Sequence, residues 1–365
     1  MNGEGGDGRW LRPELRDVPS YGSAVVAPAA QSGPVHKLSS NESPYPPSEA
    51  VLEAVGRAAR SANRYPDMFG DDLATMLAAR HSLPADRVAV AGGSLVLLQQ
   101  ALQAAASPGD EVVLGWRSYE AYPIIVQVAR CKSVLVPLFE HRLDLSQMAE
   151  RATDATRIVI VCSPNNPTST DVSSESLEEL LEALPASCLV ILDQAYREFS
   201  TDKGSPDGLV LQERFDNLLV LRTFSKAHSL AGARIGWCVG DPGIISALRR
   251  VALPFTLSRL ASAAAAAAVA EDPRAVAGRV AAIVAERDRL GESLRQVGFE
   301  VPASQTNFVW LPLCERSDSF AALCAQAGAS VRCFSGEGVR VTVGSAAAND
   351  LVIELARSFS ANPQD

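Results

Sequence analysis

Between residues 70 and 250 the chain alternates short, almost wholly apolar runs with longer stretches of helical periodicity, and this alternation constrains the fold most. The runs lie at 88–91, 111–114, 133–138, 157–162, 188–192, 217–221 and 235–239, and helical stretches such as 95–106 and 176–183 fall between them. A strand exposed on one face carries polar residues at every second position. Runs without that alternation must be covered on both faces, which describes a mostly parallel sheet flanked by helices in an α/β domain. The turn chemistry agrees: Ser107-Pro108-Gly109-Asp110 precedes one run and Ser163-Pro164-Asn165-Asn166-Pro167 follows another. Ligands of such sheets bind beyond the carboxyl ends of the strands. Polar residues that close the apolar runs are therefore the first candidates for a site.

After Pro254 the texture changes. Residues 258–270 are alanine-rich, with an unbroken alanine run at 263–268. Alanine is the best helix former, so one long helix is expected to continue towards Leu294. Strand-like pieces at 308–313, 330–334 and 338–343 and a last helix near 349–359 suggest a small α+β C-terminal domain. The expected division is an N-terminal arm 1–45, a large domain 46–253 and a small domain 254–365.

With 365 residues the chain has room for two or three domains of ~100–200 residues each. Its net charge of −9 disfavours nucleic acid, which asks for a basic face. No apolar run approaches the ~20 residues of a membrane span, and the start, Met1-Asn2-Gly3-Glu4-Gly5-Gly6-Asp7-Gly8, reads as a flexible tail rather than a secretory signal. The 7 cysteines are scattered singly without a Cys-x-x-Cys pair, as expected of reduced thiols in a cytoplasmic protein. The 4 histidines do not cluster, so no metal site is expected.

The chemistry concentrates in Thr223-Phe224-Ser225-Lys226-Ala227-His228-Ser229-Leu230-Ala231-Gly232-Ala233-Arg234-Ile235-Gly236. A lysine there can form a Schiff base with an aldehyde cofactor, once its environment favours the neutral amine. Thr223, Ser225 and the planar fork of Arg234 suit a phosphate. Together they read as a site for pyridoxal 5'-phosphate (PLP). Taken alone, Lys226 reads as a surface lysine, as most lysines are; its neighbours change that. Asp193 closes the run Leu189-Val190-Ile191-Leu192 and can pair with a protonated pyridine nitrogen; its ordinary alternative is a helix N-cap. Tyr196 and Asn166 can bond the cofactor's phenolic oxygen, although Asn166 is also a natural turn residue. Ala91-Gly92-Gly93-Ser94 joins a strand to a helix whose free N–H groups attract phosphate, or it is only a tight turn. Tyr119 can stack on the ring or pack in the core.

As a set these motifs resemble the fold type I PLP-dependent transferases, and in particular the histidinol-phosphate aminotransferase family. The resemblance covers about residues 19–360 and rests on Leu38-Ser39-Ser40-Asn41-Glu42-Ser43-Pro44-Tyr45, Arg64-Tyr65-Pro66-Asp67, 163–168, Leu192-Asp193-Gln194-Ala195-Tyr196, 223–236 and Val339-Arg340-Val341-Thr342-Val343-Gly344. Trp116-Arg117-Ser118-Tyr119-Glu120-Ala121-Tyr122-Pro123 is similar to the actinobacterial branch often labelled phenylalanine or aromatic aminotransferases. The resemblance implies a large PLP-binding domain built on a mostly parallel seven-stranded sheet, and transamination between an amino donor and a 2-oxo acid such as 2-oxoglutarate. It implies Lys226 as Schiff-base lysine and proton shuttle, with Asp193, Tyr196 and Asn166 holding the ring and Tyr119 stacking on it. Gly93, Ser94, Leu95, Thr223, Ser225 and Arg234 hold the phosphate. Tyr65 reaches the phosphate of a partner subunit, which implies a homodimer with shared sites. Arg340 takes the substrate α-carboxylate, and Tyr21, Asn41 and Arg332, with Asn166, line the substrate pocket. In relatives that use histidinol phosphate, the arginine like Arg332 helps hold that phosphate.

The sequence departs from that pattern in places. His228-Ser229 stands where an aromatic residue and glycine are usual; His228 is an added acid–base group or a packed replacement. Ser169 replaces a glycine, Leu95 replaces an aspartate or other polar residue, and Gly22-Ser23 follows Tyr21. Other PLP reactions, such as decarboxylation, elimination or oxidation in a specialised biosynthetic pathway, remain open on the same residues, as does a non-enzymatic regulatory protein.

Overall fold

The computed structural model describes residues 35–361 together with Arg12, Leu15, Val18 and Gly22. The strands are β1 (His36–Lys37), β2 (Val88–Ala91), β3 (Glu111–Trp116), β4 (Lys132–Pro137), β5 (Thr156–Cys162), β6 (Leu189–Asp193), β7 (Leu218–Thr223), β8 (Gly236–Val239), β9 (Phe308–Leu311), β10 (Ala329–Ser330), β11 (Arg332–Phe334) and β12 (Gly338–Thr342). A seven-stranded sheet runs in the order β2-β8-β7-β6-β5-β3-β4. Its pairs are parallel except those of β8, which is antiparallel to β2 and β7.

The apolar runs have the expected cause. On β3, Val112 and Leu114 enter one core cluster while Val113 enters another on the opposite face. On β5, Ile158 and Ile160 alternate in the same way with Val159 and Val161. Helix Ser94–Ala105 covers the first face with Leu97, Leu98 and Leu102; helix Ser174–Ala183 covers the second with Leu177, Leu180 and Leu181. Each buried Leu, Ile or Val side chain is worth roughly 1.5–3 kcal/mol of transfer free energy, so both layers favour this one register.

The expected single helix from 258 towards Leu294 is instead two, Arg259–Ala270 and Pro273–Gln296. Proline cannot continue a helix because it lacks the N–H and crowds the preceding turn. It suits a first turn, and Asp272 caps the second helix by accepting from Arg274 N at 2.9 Å. The alanine helix packs Ala261, Ala264, Ala265 and Ala268 against Val51, Leu73, Val88 and Trp237 of the larger unit. The helix after β3 begins at Ala121, with Glu120 at its N-cap.

Strands β11-β12-β9 form an antiparallel sheet, and helices Ser317–Gln326 and Ala346–Ala361 close a second core around Phe320, Val352 and Phe359. The expected strand 330–334 is split: β10 pairs with β1, whereas β11 pairs with β12. Helix Pro273–Gln296 joins the two units, with Ile283 packed beside Tyr196 and Phe308, and Leu290 and Leu294 in the small core.

Candidate active site

A cavity of about 700 Å³ opens at the carboxyl ends of β5, β6 and β7, between them and the small sheet. Three polar side chains reach it from these ends: Asn166 four residues after β5, Asp193 at the end of β6 and Thr223 at the end of β7.

Asp193 is buried, and burial raises its pKa by penalising the charged form. Two donors oppose that: Tyr122 Oη bonds Oδ2 at 2.7 Å and Ala195 N bonds Oδ1 at 3.1 Å. The second bond caps a turn; Asp193 is not the helix N-cap that the sequence also allowed, since the short helix Arg197–Phe199 has Tyr196 at its N-cap. Lys226 Nζ donates to the carbonyls of Ser40 at 3.2 Å and Asn41 at 3.0 Å. Burial, reinforced by the Arg340 guanidinium and opposed by Glu42, lowers its pKa to about 7. Near neutral pH a substantial fraction of an amine so placed is uncharged and able to act as nucleophile and base.

The candidate anion cradle comes from backbone geometry. Gly93 has φ +115° and precedes helix Ser94–Ala105 without a capping side chain. A Cβ on Gly93 would lie 2.8 Å from Arg234 Nη2, and one on Gly236 would lie 2.2 Å from Ser94 N. Only glycines let strand, helix start and guanidinium meet this closely. Arg234 Nη1 donates to Ser225 Oγ at 3.3 Å, and Thr223 Oγ1 accepts from Ser225 N at 3.1 Å. Ser94, Leu95, Thr223, Ser225 and Arg234 all line the cavity.

On the other side Arg340 is buried in β12 and donates to Asn166 Oδ1 at 2.5 Å and to the carbonyl of Ser39. Asn41 Nδ2 donates to Tyr196 Oη at 2.9 Å, while Thr342 Oγ1 donates to Asn41 Oδ1 at 3.0 Å. Burial raises the Tyr196 pKa, so its hydroxyl stays protonated. Tyr119 lines the cavity and packs edge-on against Tyr122 at 5.4 Å between centroids. Arg332 lines it too, with Nη2 donating to Glu120 Oε2 at 2.7 Å. Tyr65 does not line the cavity and is 78% exposed. Tyr21 lies outside the described residues.

Sequence reasoning passed over Tyr122, Glu120 and the carbonyls of Ser39 and Ser40. Tyr122 looks like any helical core aromatic, and backbone carbonyls carry no signal in a sequence. His228 lies against Phe224 at 5.0 Å between centroids and lines a separate cavity behind β7, so the structure gives it a packing position. Burial lowers its pKa. Ser229 and Ser169, the two serines in place of glycine, have φ +58° and +66°. That left-handed geometry explains why glycine is usual there. Ser229 Oγ donates to Ser43 Oγ at 2.9 Å.

PLP requires an amine for its aldehyde, a carboxylate for its ring nitrogen and a cradle for its phosphate. Lys226, buried Asp193 and the glycine-walled pocket beside Arg234 fit all three. Among the described residues no cluster of His, Cys, Asp and Glu could hold a metal ion.

The family described as aminotransferase class I and II matches residues 34–357. The chain is 50% identical over 352 residues to an aromatic amino acid aminotransferase of Streptomyces avermitilis, covering 96% of this chain and 97% of that one. An aromatic amino acid aminotransferase of Mycobacteroides abscessus is 44% identical over 349 residues, covering 96% and 99%. Among solved structures, histidinol-phosphate aminotransferase from Sinorhizobium meliloti in complex with pyridoxal-5'-phosphate superposes with a TM-score of 0.85 at 27% identity, covering 96% and 98%.

Proposed function

Since the chain belongs to the aminotransferase class I and II family, we propose that it moves the amino group of an aromatic L-amino acid to 2-oxoglutarate. As a member it is a PLP-dependent aminotransferase, acting on an amino donor and a 2-oxo acid. The observation that carries our reading of the site is the convergence of Lys226, Asp193 and Arg340 on one cavity. The aromatic donor is supported by the names of the relatives.

In this reading Arg340 takes the donor's α-carboxylate with its planar fork and so fixes the α-carbon near Lys226. Lys226 Nζ, in its neutral form, would accept the α-proton and later return it to the acceptor's side of the transfer. When bound, PLP supplies an electron sink for the pair left at that carbon. Asp193 would pair with the ring nitrogen and favour its protonated form, and the Tyr122 hydrogen bond holds the Asp193 carboxylate in place. Tyr196 and Asn166 would hold the ring through its phenolic oxygen, and Tyr119 would stack on it. Gly93, Ser94, Leu95, Thr223, Ser225 and Arg234 anchor the phosphate. Asn41 fixes Tyr196 and, through its carbonyl, Lys226.

We further propose a homodimer in which exposed Tyr65 serves the neighbouring copy's phosphate. We propose that the functional boundary lies beyond the alanine helix rather than at 254, because that helix packs with the larger unit. A cytoplasmic location is supported by 7 free cysteines. No helix among the described residues is long and apolar enough to cross a membrane.

The test is a half-reaction screen of the PLP-loaded protein with L-phenylalanine, L-tyrosine, L-tryptophan and L-histidinol phosphate. Conversion of bound cofactor to the pyridoxamine form by the aromatic donors is expected, and Lys226→Ala should abolish it. Conversion by histidinol phosphate alone would overturn the donor assignment. Release of carbon dioxide without that conversion would overturn transamination.

A further inference from the structure

An aminotransferase runs two half-reactions through one cavity. If the donor is aromatic, on which this inference rests, the wall that receives the substrate side chain meets an apolar ring in one half-reaction. In the other it meets the distal carboxylate of the oxo acid. Arg332 on β11 stands at this wall and is buried. Its guanidinium is already paired with Glu120, which comes from the larger unit, 212 residues away in sequence. Glu120 sits at the N-cap of helix Ala121–Val128, where the helix dipole favours a carboxylate. The Phe334 ring centre lies 5.6 Å from the guanidinium carbon. Gly22 approaches so closely that a Cβ there would lie 3.0 Å from Nη2. One carboxylate, one ring and a glycine therefore enclose the charge.

We propose that Glu120 is a resident stand-in for the distal carboxylate of the acidic co-substrate. With an aromatic side chain in the pocket, Glu120 keeps Arg332 paired; without it, a buried cation would face an apolar ring with no counter-charge. When the oxo acid enters, its distal carboxylate takes over donors of the guanidinium fork, which offers several. The Glu120 side chain is 25% exposed, so it has solvent to move into. A phosphate brings about −1.5 to −2 charges at pH 7 to the same guanidinium and meets the carboxylate already there. Like-charge juxtaposition of this kind is a common means of rejecting a wrong partner. Glu120 touches no reacting atom in this scheme; it sets specificity through Arg332.

The experiment compares wild type, Glu120→Gln and Glu120→Asp as holoenzymes, with kcat and KM measured separately for L-phenylalanine, 2-oxoglutarate and L-histidinol phosphate. In Glu120→Gln the KM for 2-oxoglutarate should fall and kcat/KM for histidinol phosphate should rise, each by roughly tenfold, a typical size for coupling between two bound groups. The kcat/KM for phenylalanine should fall, and Glu120→Asp should restore much of the wild-type order. Parallel losses for all three substrates would mark Glu120 as merely structural and overturn the inference. So would unchanged ratios in a wild type that uses phenylalanine. A wild type that uses no aromatic donor would overturn the donor assignment itself, and the inference with it.

Discussion

Tyr122 Oη donates a 2.7 Å hydrogen bond to Asp193 Oδ2, and both residues are buried. The bond joins the helix after β3 to the end of β6. Burial alone pushes a carboxyl towards its neutral form, whereas this donor favours the charged one. In the proposed site, a cationic ring nitrogen of PLP would favour the ionised carboxylate. Asp193→Asn keeps the shape and removes the charge. Its kcat should fall by roughly 10²–10⁴-fold, the span of positioned acid–base groups, with the fold intact by circular dichroism. Tyr122→Phe leaves one carboxylate oxygen without its donor, at about 1–3 kcal/mol. Its kcat should lie between wild type and Asp193→Asn in steady-state assays.

The lowered pKa of Lys226 sets a pH dependence with a definite sign. Below about 7 the amine is charged and unable to attack the cofactor aldehyde; above it the amine is neutral. The rate at which the apoprotein captures added PLP should therefore rise through pH 7 and level off. An ordinary lysine would show its midpoint near pH ~10.4. Stopped-flow absorbance from pH 5.5 to 9.5 reads this directly, and a midpoint above 9 would contradict the enclosed position of Nζ.

Gly236→Ala tests the phosphate cradle from behind. The new Cβ would meet the backbone at Ser94 N, 2.2 Å away, and Gly93 C, 2.5 Å away, so the helix start must shift. Overpacking against backbone costs about 1–3 kcal/mol. The variant should unfold earlier in urea and bind PLP more weakly. Loss of PLP affinity should exceed any loss of affinity for the amino donor, measured in protein saturated with cofactor.

Ser169→Gly should act in the opposite direction. Ser169 has φ +66°, and its buried hydroxyl has no hydrogen-bond partner among the described residues. A left-handed non-glycine residue costs roughly 1–2 kcal/mol, partly offset by the greater unfolded freedom of glycine. A gain of about 1 kcal/mol in urea unfolding is expected, with kcat unchanged.

The sheet was legible because Val112, Val113 and Leu114, like Val159, Ile160 and Val161, are apolar on consecutive positions and so face two cores at once. Lys226, Asp193 and Arg340 were legible only together, since each alone has an ordinary explanation. The break before Pro273 was written in the sequence as an Asp-Pro start signal but was outweighed by the alanine run. The pairing of Glu120 with Arg332 had no local signature: an ion pair across 212 residues depends on how two sheets meet. The grip on Lys226 was invisible for a different reason, because its acceptors are peptide carbonyls, which every residue possesses.

That grip belongs to a short ribbon that serves several partners in turn. Leu38 N donates to the carbonyl of Ser330, Arg340 donates to the carbonyl of Ser39, and Lys226 donates to the carbonyls of Ser40 and Asn41. The contact from Arg340 closes a span of 301 residues and that from Lys226 to Asn41 one of 185. Contacts so distant along the chain form late, because the entropy of closing the loop is lost before they contribute. The burial that lowers the pKa of the amine is therefore expected to be complete only once this ribbon is seated. A refolding chain should regain its secondary structure first and its capacity to capture the cofactor last.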